Sequence, residues 1–478
     1  MRKGLIVLLV AAVAVAFALP AMADVTPKNL NVSGFYRAKA WVSNFHGVAG
    51  TSGASSLAKD PATAAYVEQR ARVKFDFGTE NVKAVWFLES DMNFGDSASI
   101  VNRNQGGALS GDSIQIETKN LYLWFKVPDT SLDFTVGLQN QSDPYAGVFY
   151  GGADMAGIFM TGKFEPVQFK LGWAKLYENL TQKTDDATLY VVETNFVPTK
   201  GMSLGLNFMY LADDTGANSG AGLKLNPGNQ ATPSDLTNFK VDLYTPGINA
   251  TFKAGPATLS GFAFYQFGTA ESMVAGGTDV DVKAYGGDLR ADVKVGPANV
   301  FFEGLYLSGD DKEDEYNAPI TLGDYQGANT GSGGNSSYTR TRMQIMLASW
   351  DTINTAQCLV GCSGGVYGDS LGLQGRGLWH VAAGANMDVT PKIKAEANVG
   401  YAAAVKLQSG ESAFRDKDLG TEVNAGVNYN IAKGLDFGLY GAYMWLGGFV
   451  KDAPVAPATT SPDFKDPWTT YARINYAF

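Results

Sequence analysis

The sequence predicts an all-β protein, a transmembrane antiparallel β-barrel of 18 strands, on three observations. Segments that alternate apolar and polar residues recur from position 31 to position 478. The connections between them alternate between very short turns and long polar loops. The composition combines 56 glycines and 45% hydrophobic residues with only 18% charged residues, below the roughly 25% typical of soluble proteins.

The amino terminus predicts export. Arg2 and Lys3 form a basic start, residues 5–19 are apolar, and Ala21-Met22-Ala23 is a small-residue cleavage site. This pattern is typical of a secretory signal peptide. The apolar run is shorter than the ~20 residues that a spanning helix needs. We therefore expect residues 1–23 to be a signal peptide and 24–478 to form the barrel.

The segment from Tyr66 to Phe77 is the clearest strand. Its odd positions are apolar except for Gln69, and its even positions carry Glu68, Arg70, Arg72, Lys74 and Asp76. A helix would mix these two sets, whereas a strand places them on opposite faces. The segment is therefore a strand with one apolar side and one charged side.

Similar segments follow along the chain. They are Val82–Asp91, Ile114–Val127, Leu132–Gln139, Val167–Tyr177, Thr188–Val197, Met202–Leu211, Phe239–Lys253, Thr258–Phe267, Val282–Val295, Asn299–Leu307, Leu378–Val389, Ile393–Val405, Leu419–Ile431, Leu435–Leu446 and Trp468–Phe478. Strands of soluble sandwiches run about 5–6 residues, whereas a tilted membrane-crossing strand needs about 9–11. Strand length therefore favours a membrane barrel.

The turns give the strand number. Eight short turns, with both chain ends on the periplasmic side, imply 18 strands; 16 is the alternative, because Met155–Lys163 is a marginal strand. The other connections are long, as at 43–65, 213–238 and about 309–375. Short periplasmic turns and long extracellular loops are typical of outer-membrane barrels, and either strand number predicts a water-filled lumen.

With a signal peptide, paired long strands and a terminal Phe478 preceded by Tyr476, the chain resembles a Gram-negative outer-membrane porin. It is most similar to the homotrimeric porins of sulfate-reducing bacteria. The resemblance implies a homotrimer in the cell outer membrane, in contact with outer-membrane lipid and lipopolysaccharide. It also implies that Ile474, Tyr476 and Phe478 form the signal read by the barrel-assembly machinery.

A second resemblance lies between Phe134 and Met155. In general porins a strand that ends in a Gly-Arg-Gln-like stretch precedes the loop that folds inward and narrows the pore. Gly137 and Gln139 match that stretch, while Leu138 replaces its basic residue. By this resemblance Asp143 and Asp154 are candidates for the acidic side of a constriction; alternatively, they are solvated loop residues.

On the first, second and last strands, the polar residues at alternate positions predict a basic wall inside the lumen. A charge on the lipid face costs roughly 2–4 kcal/mol for Arg or Lys at the bilayer midplane, so the charged parity must face water. The predicted pore-lining cations are Arg37, Lys39, Arg70, Arg72, Lys74 and Arg473. Closing the barrel brings the last strand beside the first and makes this wall continuous. Alternatively, the cations pair with Glu68, Asp76 and loop acids.

The sequence gives little support for catalysis or cofactors. His46 and His380 are its two histidines, and a hydrolase would need a histidine matched to a nucleophile. A net charge of −10 argues against nucleic-acid binding. The acidic run at 310–315 lacks the glycine and ligand spacing of a calcium loop. We expect no enzyme activity, metal or cofactor.

Two features of the longest loop remain. Cys358 and Cys362 suit a local disulfide in an oxidising compartment, a reduced pair being the alternative. Met343, Met346, Leu347, Trp350 and Ile353 show helical spacing, which indicates a short helix that packs over or into the pore mouth, or a hydrophobic latch to a neighbouring subunit.

The most direct interpretation is a passive diffusion porin for small hydrophilic solutes, with a water-filled pore and a basic lumen wall. A substrate-specific channel for an anion or a sugar is one alternative. A structural or adhesive surface protein that uses its long loops is the other.

Overall fold

A computed structural model describes most of the chain. The described residues are 29–46, 57, 61–96, 104–109, 114–178, 185–215, 239–273, 277–311, 315–322, 338–347, 358–361, 367, 371–408, 411–413, 415–452 and 464–478. The expected signal peptide at 1–23 lies outside them.

The described residues form twenty strands. They are β1 (Asn29–Ser43), β2 (Ala64–Gly78), β3 (Val82–Phe94), β4 (Asn104–Gly107), β5 (Glu117–Lys126), β6 (Leu132–Gln141), β7 (Ala153–Phe164), β8 (Val167–Tyr177), β9 (Ala187–Thr199), β10 (Met202–Asp213), β11 (Phe239–Ala254), β12 (Ala257–Ser272), β13 (Val280–Val295), β14 (Ala298–Leu307), β15 (Glu315–Tyr316), β16 (Leu378–Thr390), β17 (Ile393–Ala404), β18 (Asp418–Ala432), β19 (Leu435–Leu446) and β20 (Trp468–Ala477).

Eighteen of these strands form one closed antiparallel barrel. Each pairs with its neighbours along the chain, and β1 pairs with both β2 and β20. The short strands β4 and β15 are parallel additions to β3 and β13. The marginal segment Met155–Lys163 is part of β7, so the 18-strand prediction is confirmed over 16.

The two ends of the barrel differ. Short turns such as 79–81, 165–166 and 433–434 lie at the end that carries Asn29 and Phe478, here called the short-turn end. The long connections lie at the other, long-loop end. Short helical segments occur at Glu411–Ala413 and Gly448–Lys451. Within the described part of the chain, no helix has the length and hydrophobicity to cross a membrane.

Alternation along each strand separates two environments. On β10 the outward residues Leu204, Leu206 and Phe208 are 46%, 61% and 38% exposed. The inward neighbours Asn207 and Met209 are buried. An apolar outer band is required in hydrocarbon, where only a closed ladder satisfies every backbone N–H and C=O group.

Outward aromatic rings gather toward the long-loop end. The ring of Tyr210 stacks on Tyr190 at 5.6 Å and on Tyr244 at 4.8 Å between centroids. Tyr285 and Tyr306 stack at 5.9 Å farther around the barrel. Such rows match the aromatic girdle that membrane barrels place at the water interface.

The long-loop half of the lumen is a packed apolar core. Ile320, Met343, Ile345 and Met346 of the longest loop are essentially inaccessible and pack among inward residues of the strands. The longest loop therefore turns into the barrel and fills part of this half of the lumen. The stretch 338–347 is irregular rather than helical, and Trp350 and Ile353 lie outside the described residues.

The seam between β1 and β20 closes the barrel. Gly34 N–H donates to the carbonyl oxygen of Phe478 at 3.0 Å, and Phe478 N–H donates back at 3.0 Å. A Cβ atom on Gly34 would overlap the Arg72 carbonyl oxygen and lie 3.0 Å from Cζ of Phe478. The terminal ring therefore rests over a position that has no side chain.

We predict that Gly34→Ala weakens this seam. Overpacking typically costs about 1–3 kcal/mol, so the folded, heat-modifiable form should be lost at a lower temperature in gel-mobility melts. Gly304→Ala is the matched control, because its Cβ would lie 3.9 Å from the nearest atom, Val381 Cγ1. Equal melting of the two variants would contradict the role of Gly34.

Candidate pore and its constriction

The six predicted cations all lie on the inward parity of the seam strands. In the strand register Arg37 lies opposite Arg70 and Asn475, and Lys39 lies opposite Glu68 and Arg473. Arg72 and Lys74 continue the same face of β2 toward the short-turn end. The structure therefore brings Arg37, Lys39, Arg70, Arg72, Lys74 and Arg473 onto one wall, which we call the seam wall.

Carboxylates on β3 share this wall with the arginines. Arg70 donates from Nε and Nη2 to the two oxygens of Asp91, each at 2.7 Å. Its Nη2 also lies 3.3 Å from Glu89 Oε1, and Arg72 forms an ion pair with Glu89. Bidentate arginine–carboxylate pairs fix both side chains in one geometry.

The remaining cations also have partners. Lys74 Nζ lies 3.1 Å from Asp76, and Arg473 Nη2 lies 3.2 Å from Asp436. Arg37 Nε donates to Asn475 Oδ1 at 3.2 Å. Lys39 is fully buried, with its Nζ 5.0 Å from the ring centroid of Tyr471. Arg70, Arg72, Lys74 and Arg473 are thus ion-paired, with Asp91 and Glu89 on β3, Asp76 on β2 and Asp436 on β19. Asp76 is among the partners named in the alternative above.

Asp143 lies in the β6–β7 loop, residues 142–152, here called loop 3. Its carboxylate accepts hydrogen bonds from four backbone N–H groups of the same loop, at Tyr145, Gly147, Phe149 and Tyr150, over 2.6–2.9 Å. Burial raises the pKa of Asp143 to about 6, against the lowering effect of these donors. The carboxylate holds the loop together instead of facing the seam wall.

Loop 3 crosses the lumen. The Tyr145 ring lies 5.7 Å from Phe262 and 5.6 Å from Phe264, and Phe149 lies 4.7 Å from Phe264. These phenylalanines are on β12, five strands beyond β7 around the barrel. This inward path is the one that the resemblance to general porins implied.

Asp154 is placed differently from Asp143. It lies on β7 with the parity opposite to Met155, whose side chain is buried inside the barrel. Its carboxylate accepts hydrogen bonds from Lys119 Nζ at 2.5 Å and from the amides of Asn120 and Asn140 at 2.8 and 3.0 Å. Asp154 therefore belongs to a hydrogen-bond network with side chains of β5 and β6. The acids that accompany the seam cations are Glu89, Asp91, Asp76 and Asp436.

Part of the β14–β16 loop, residues 338–347, forms an inner strap across the lumen. Buried Glu422 on β18 accepts hydrogen bonds from three consecutive backbone N–H groups, at Gln344, Ile345 and Met346, over 2.6–3.0 Å. Asn424 donates to the carbonyl oxygen of Arg342 at 2.9 Å. One wall carboxylate thus anchors one end of the strap.

The other end of the strap is anchored on β13. Asp288 accepts a hydrogen bond from the Tyr338 hydroxyl and forms an ion pair with Arg340. Burial raises the pKa of Tyr338 well above its ordinary value. The strap is therefore fixed to two parts of the wall, four strands apart.

Backbone hydrogen bonds join the two loops. Thr339 N–H donates to the Ala146 carbonyl oxygen at 2.8 Å, and Leu322 N–H donates to the Phe149 carbonyl oxygen at 3.0 Å. Loop 3 and the inner strap thus form one plug. Sequence reasoning missed this arrangement, because the donors are backbone groups that leave no motif.

Two cavities remain in the lumen toward the short-turn end. The first, of about 380 Å³, lies between the strap and the strands near the seam, beside Arg37, Arg342, Tyr440 and Arg473. The second, of about 400 Å³, lies beneath Pro144 of loop 3. Both cavities lie beside the plug formed by the described residues.

The two histidines and Cys358 make structural contacts within the described part of the chain. His46 Nδ1 lies 3.0 Å from Thr469 Oγ1, and buried His380 has Nδ1 3.0 Å from the Tyr401 carbonyl oxygen. Among the described residues, no cluster of three metal-binding side chains occurs. Cys358 is disulfide-bonded, and Cys362, the other cysteine of the sequence, lies outside the described residues.

Comparison with known proteins agrees with this architecture. The family model described as Porin subfamily matches residues 181–470, more than half of the chain. A search of curated proteins found no significant match.

Solved structures share the fold at low sequence identity. OccAB1 of Acinetobacter baumannii superimposes with a TM-score of 0.53 at 10% identity, covering 96% of this chain and 99% of that one. OccK5 (OpdH) of Pseudomonas aeruginosa gives 0.52 at 10%, covering 95% and 98%. A BenF-like porin from Pseudomonas fluorescens Pf-5 gives 0.51 at 11%, covering 95% and 99%.

A closed 18-strand barrel, an apolar outer band and a plugged lumen agree with the family match. The family and the fold identify an outer-membrane channel for small solutes rather than an enzyme. The chain belongs to the porin subfamily.

Proposed function

We propose that this porin lets small hydrophilic solutes diffuse passively around its plug. The observation that carries the proposal is the pair of lumen cavities, of about 380 and 400 Å³, beside loops that close the rest of the lumen. No step of such transport requires chemistry or energy coupling. Arg37 and Arg473 of the seam wall line the first cavity.

A substrate-specific channel is the second candidate. The packed long-loop half of the lumen favours it, because a narrow route brings every solute into contact with fixed polar groups. Competition between solutes for the current through the channel would distinguish this candidate from general diffusion. A structural or adhesive role would need no conductance at all.

The carboxyl terminus supports assembly in the outer membrane. Ile474, Tyr476 and Phe478 face outward and are 40%, 45% and 50% exposed, which suits both lipid contact and recognition by the barrel-assembly machinery. We propose cleavage of the signal peptide near Ala23, insertion by that machinery, and outer-face contact with membrane lipid and lipopolysaccharide.

The outer face at the seam supports the homotrimer that the resemblance implied. Ala40 on β1 lies opposite Ala472 on β20, and Ala38 on β1 and Ala71 on β2 share its outward parity. Small side chains leave a flat surface that lets another barrel approach closely. Bilayer recordings test both proposals: a protein without conductance contradicts the channel, and closure in other than three equal steps contradicts the trimer.

We predict that removing one arginine of the seam wall shifts ion selectivity toward cations. Arg70→Ala or Arg72→Ala leaves Glu89 and Asp91 undercompensated, and a unit charge is worth ~1 kcal/mol at 4 Å in water. The permeability ratio, from reversal potentials, should change by about two- to five-fold. Glu89→Gln should shift it the opposite way. If neither arginine change alters selectivity, the seam wall is not the filter.

We predict that Glu422→Ala loosens the plug. The change leaves three strap N–H groups without their acceptor, and each unsatisfied buried donor costs about 1–3 kcal/mol. Single-channel conductance should rise, with slow transitions between levels. Glu396→Ala is the control, because Glu396 faces the lumen on β17 and lines the first cavity. Unchanged conductance in Glu422→Ala would show that the strap does not limit the current.

We predict a pH-dependent contribution of Asp143 to stability. Its pKa of about 6 in the folded loop exceeds the ordinary value of 3.8. Its stabilising contribution is therefore complete below about pH 4 and is lost as the pH rises through 6. The melting temperature of the wild type minus that of Asp143→Asn, which does not titrate and keeps one of the two acceptor oxygens, should decrease between pH 4 and pH 7.5. A constant difference would contradict this titration.

A further inference from the structure

The second cavity differs chemically from the first. It is enclosed by inward residues of β6 to β11 and by Pro144 of loop 3, and it opens toward the short-turn end. Three asparagines lie in its wall: Asn195 on β9, Asn207 on β10 and Asn249 on β11. We call it the amide cavity. Its volume of about 400 Å³ falls in the ~300–1,000 Å³ range of small-molecule sites.

The asparagines offer hydrogen-bonding groups of both kinds. Asn207 Nδ2 donates to Asn249 Oδ1 at 2.7 Å and its side chain also hydrogen-bonds the Tyr145 hydroxyl, so the amide nitrogen of Asn249 is the donor that faces the cavity. Asn195 Oδ1 is buried and has no hydrogen-bond partner among the described residues. A side-chain amide both donates and accepts, as a hydroxyl group does. The wall therefore complements a solute rich in hydroxyl groups.

The charges in the amide cavity compensate one another. Lys170 Nζ lies 2.6 Å from Glu193 Oε1, and the two other charged residues of the wall, Lys163 and Asp133, are of opposite sign. Such a wall has no net charge to attract an ion. It can still polarise and orient hydroxyl groups, since hydrogen bonds to charged groups are stronger than neutral ones.

The first cavity provides the contrast. Its wall has four cationic side chains, Arg37, Arg342, Lys394 and Arg473, against two acids, Asp388 and Glu396. In the order of the 18 barrel strands, its strands β16 to β20 and β1 lie opposite β6 to β11. Ions therefore have a charged side of the lumen, and uncharged solutes have a neutral side with a high density of amides.

We propose that the amide cavity is a binding subsite for uncharged polyhydroxylated solutes, sugars or polyols of one or two rings. The proposal rests on the function proposed above, since it assigns a solute class to one side of the same lumen. A sugar hydroxyl group accepts from the Asn249 amide and donates to Asn195 Oδ1. The subsite binds by hydrogen bonds alone, so it concentrates a neutral solute in the lumen and speeds its passage without retaining it.

The test uses full-length protein in liposomes, with the neutral disaccharide sucrose as the probe. Asn195→Leu combined with Asn249→Leu should slow sucrose influx, measured by swelling, at least about three-fold, because two hydrogen-bonding side chains become apolar. Potassium chloride conductance should change much less. Asn299→Leu is the matched control: this asparagine is half-buried and faces inward on β14, outside both cavities, and its variant should keep wild-type influx.

The outcomes separate the two proposals. Absence of salt conductance in the wild type would overturn the channel itself. Normal conductance with unchanged sucrose influx in the double variant would overturn only the subsite. Equal slowing by Asn299→Leu would also overturn it, because the effect would then not depend on the amide cavity. Slowing confined to the double variant, with folding confirmed by gel mobility, supports the subsite.

Discussion

The structure depends on one constraint: backbone N–H and C=O groups cannot be left unpaired in hydrocarbon. A sheet satisfies this constraint only when its last strand pairs with its first, so the β1–β20 seam is a condition for the fold. Once the seam forms, the alternation of side chains fixes which residues meet lipid and which meet the lumen. The position of Arg473 beside Lys39 is a consequence of closure and of nothing local to either strand.

The same constraint acts on the loops inside the barrel. Loop 3 and the inner strap carry backbone N–H groups away from water and away from any strand ladder, and buried donors need acceptors. The carboxylates of Asp143 and Glu422 are acceptors for backbone N–H groups of loop 3 and of the inner strap. The carboxylate of Asp288 anchors the strap through the Tyr338 hydroxyl group. The chain has a net charge of −10. Some of its acidic side chains thus hold loops in place and add little to the electrostatic field that a permeating ion meets.

The sequence was sufficient to predict the barrel, because a strand with one apolar and one polar face alternates apolar and polar residues along the chain. The inward parity of Arg37, Arg70 and Arg473 followed directly. The partners Glu89 and Asp91 did not, because the sequence suggested Glu68, Asp76 and loop acids, and it is the β2–β3 register that places Asp91 opposite Arg70 and Glu89 opposite Arg72. The plug was not readable, because Glu422 binds backbone groups that any residue carries. One signal was available: Phe208-Met209-Tyr210-Leu211 is apolar on both faces, which is typical of a strand buried on both sides.

The plug is better described as a permanent constriction than as a gate. Hydrogen bonds to a charged group contribute about 1.5–3 kcal/mol each, and Glu422 alone accepts three from the strap. Moving a two-state equilibrium from 1:99 to 99:1 takes only ≈ 5.5 kcal/mol, so these bonds, with those of Asp288 and loop 3, keep the docked state dominant. On the route proposed above, solutes pass beside the plug. The size of the two cavities and the groups in their walls then select among those solutes.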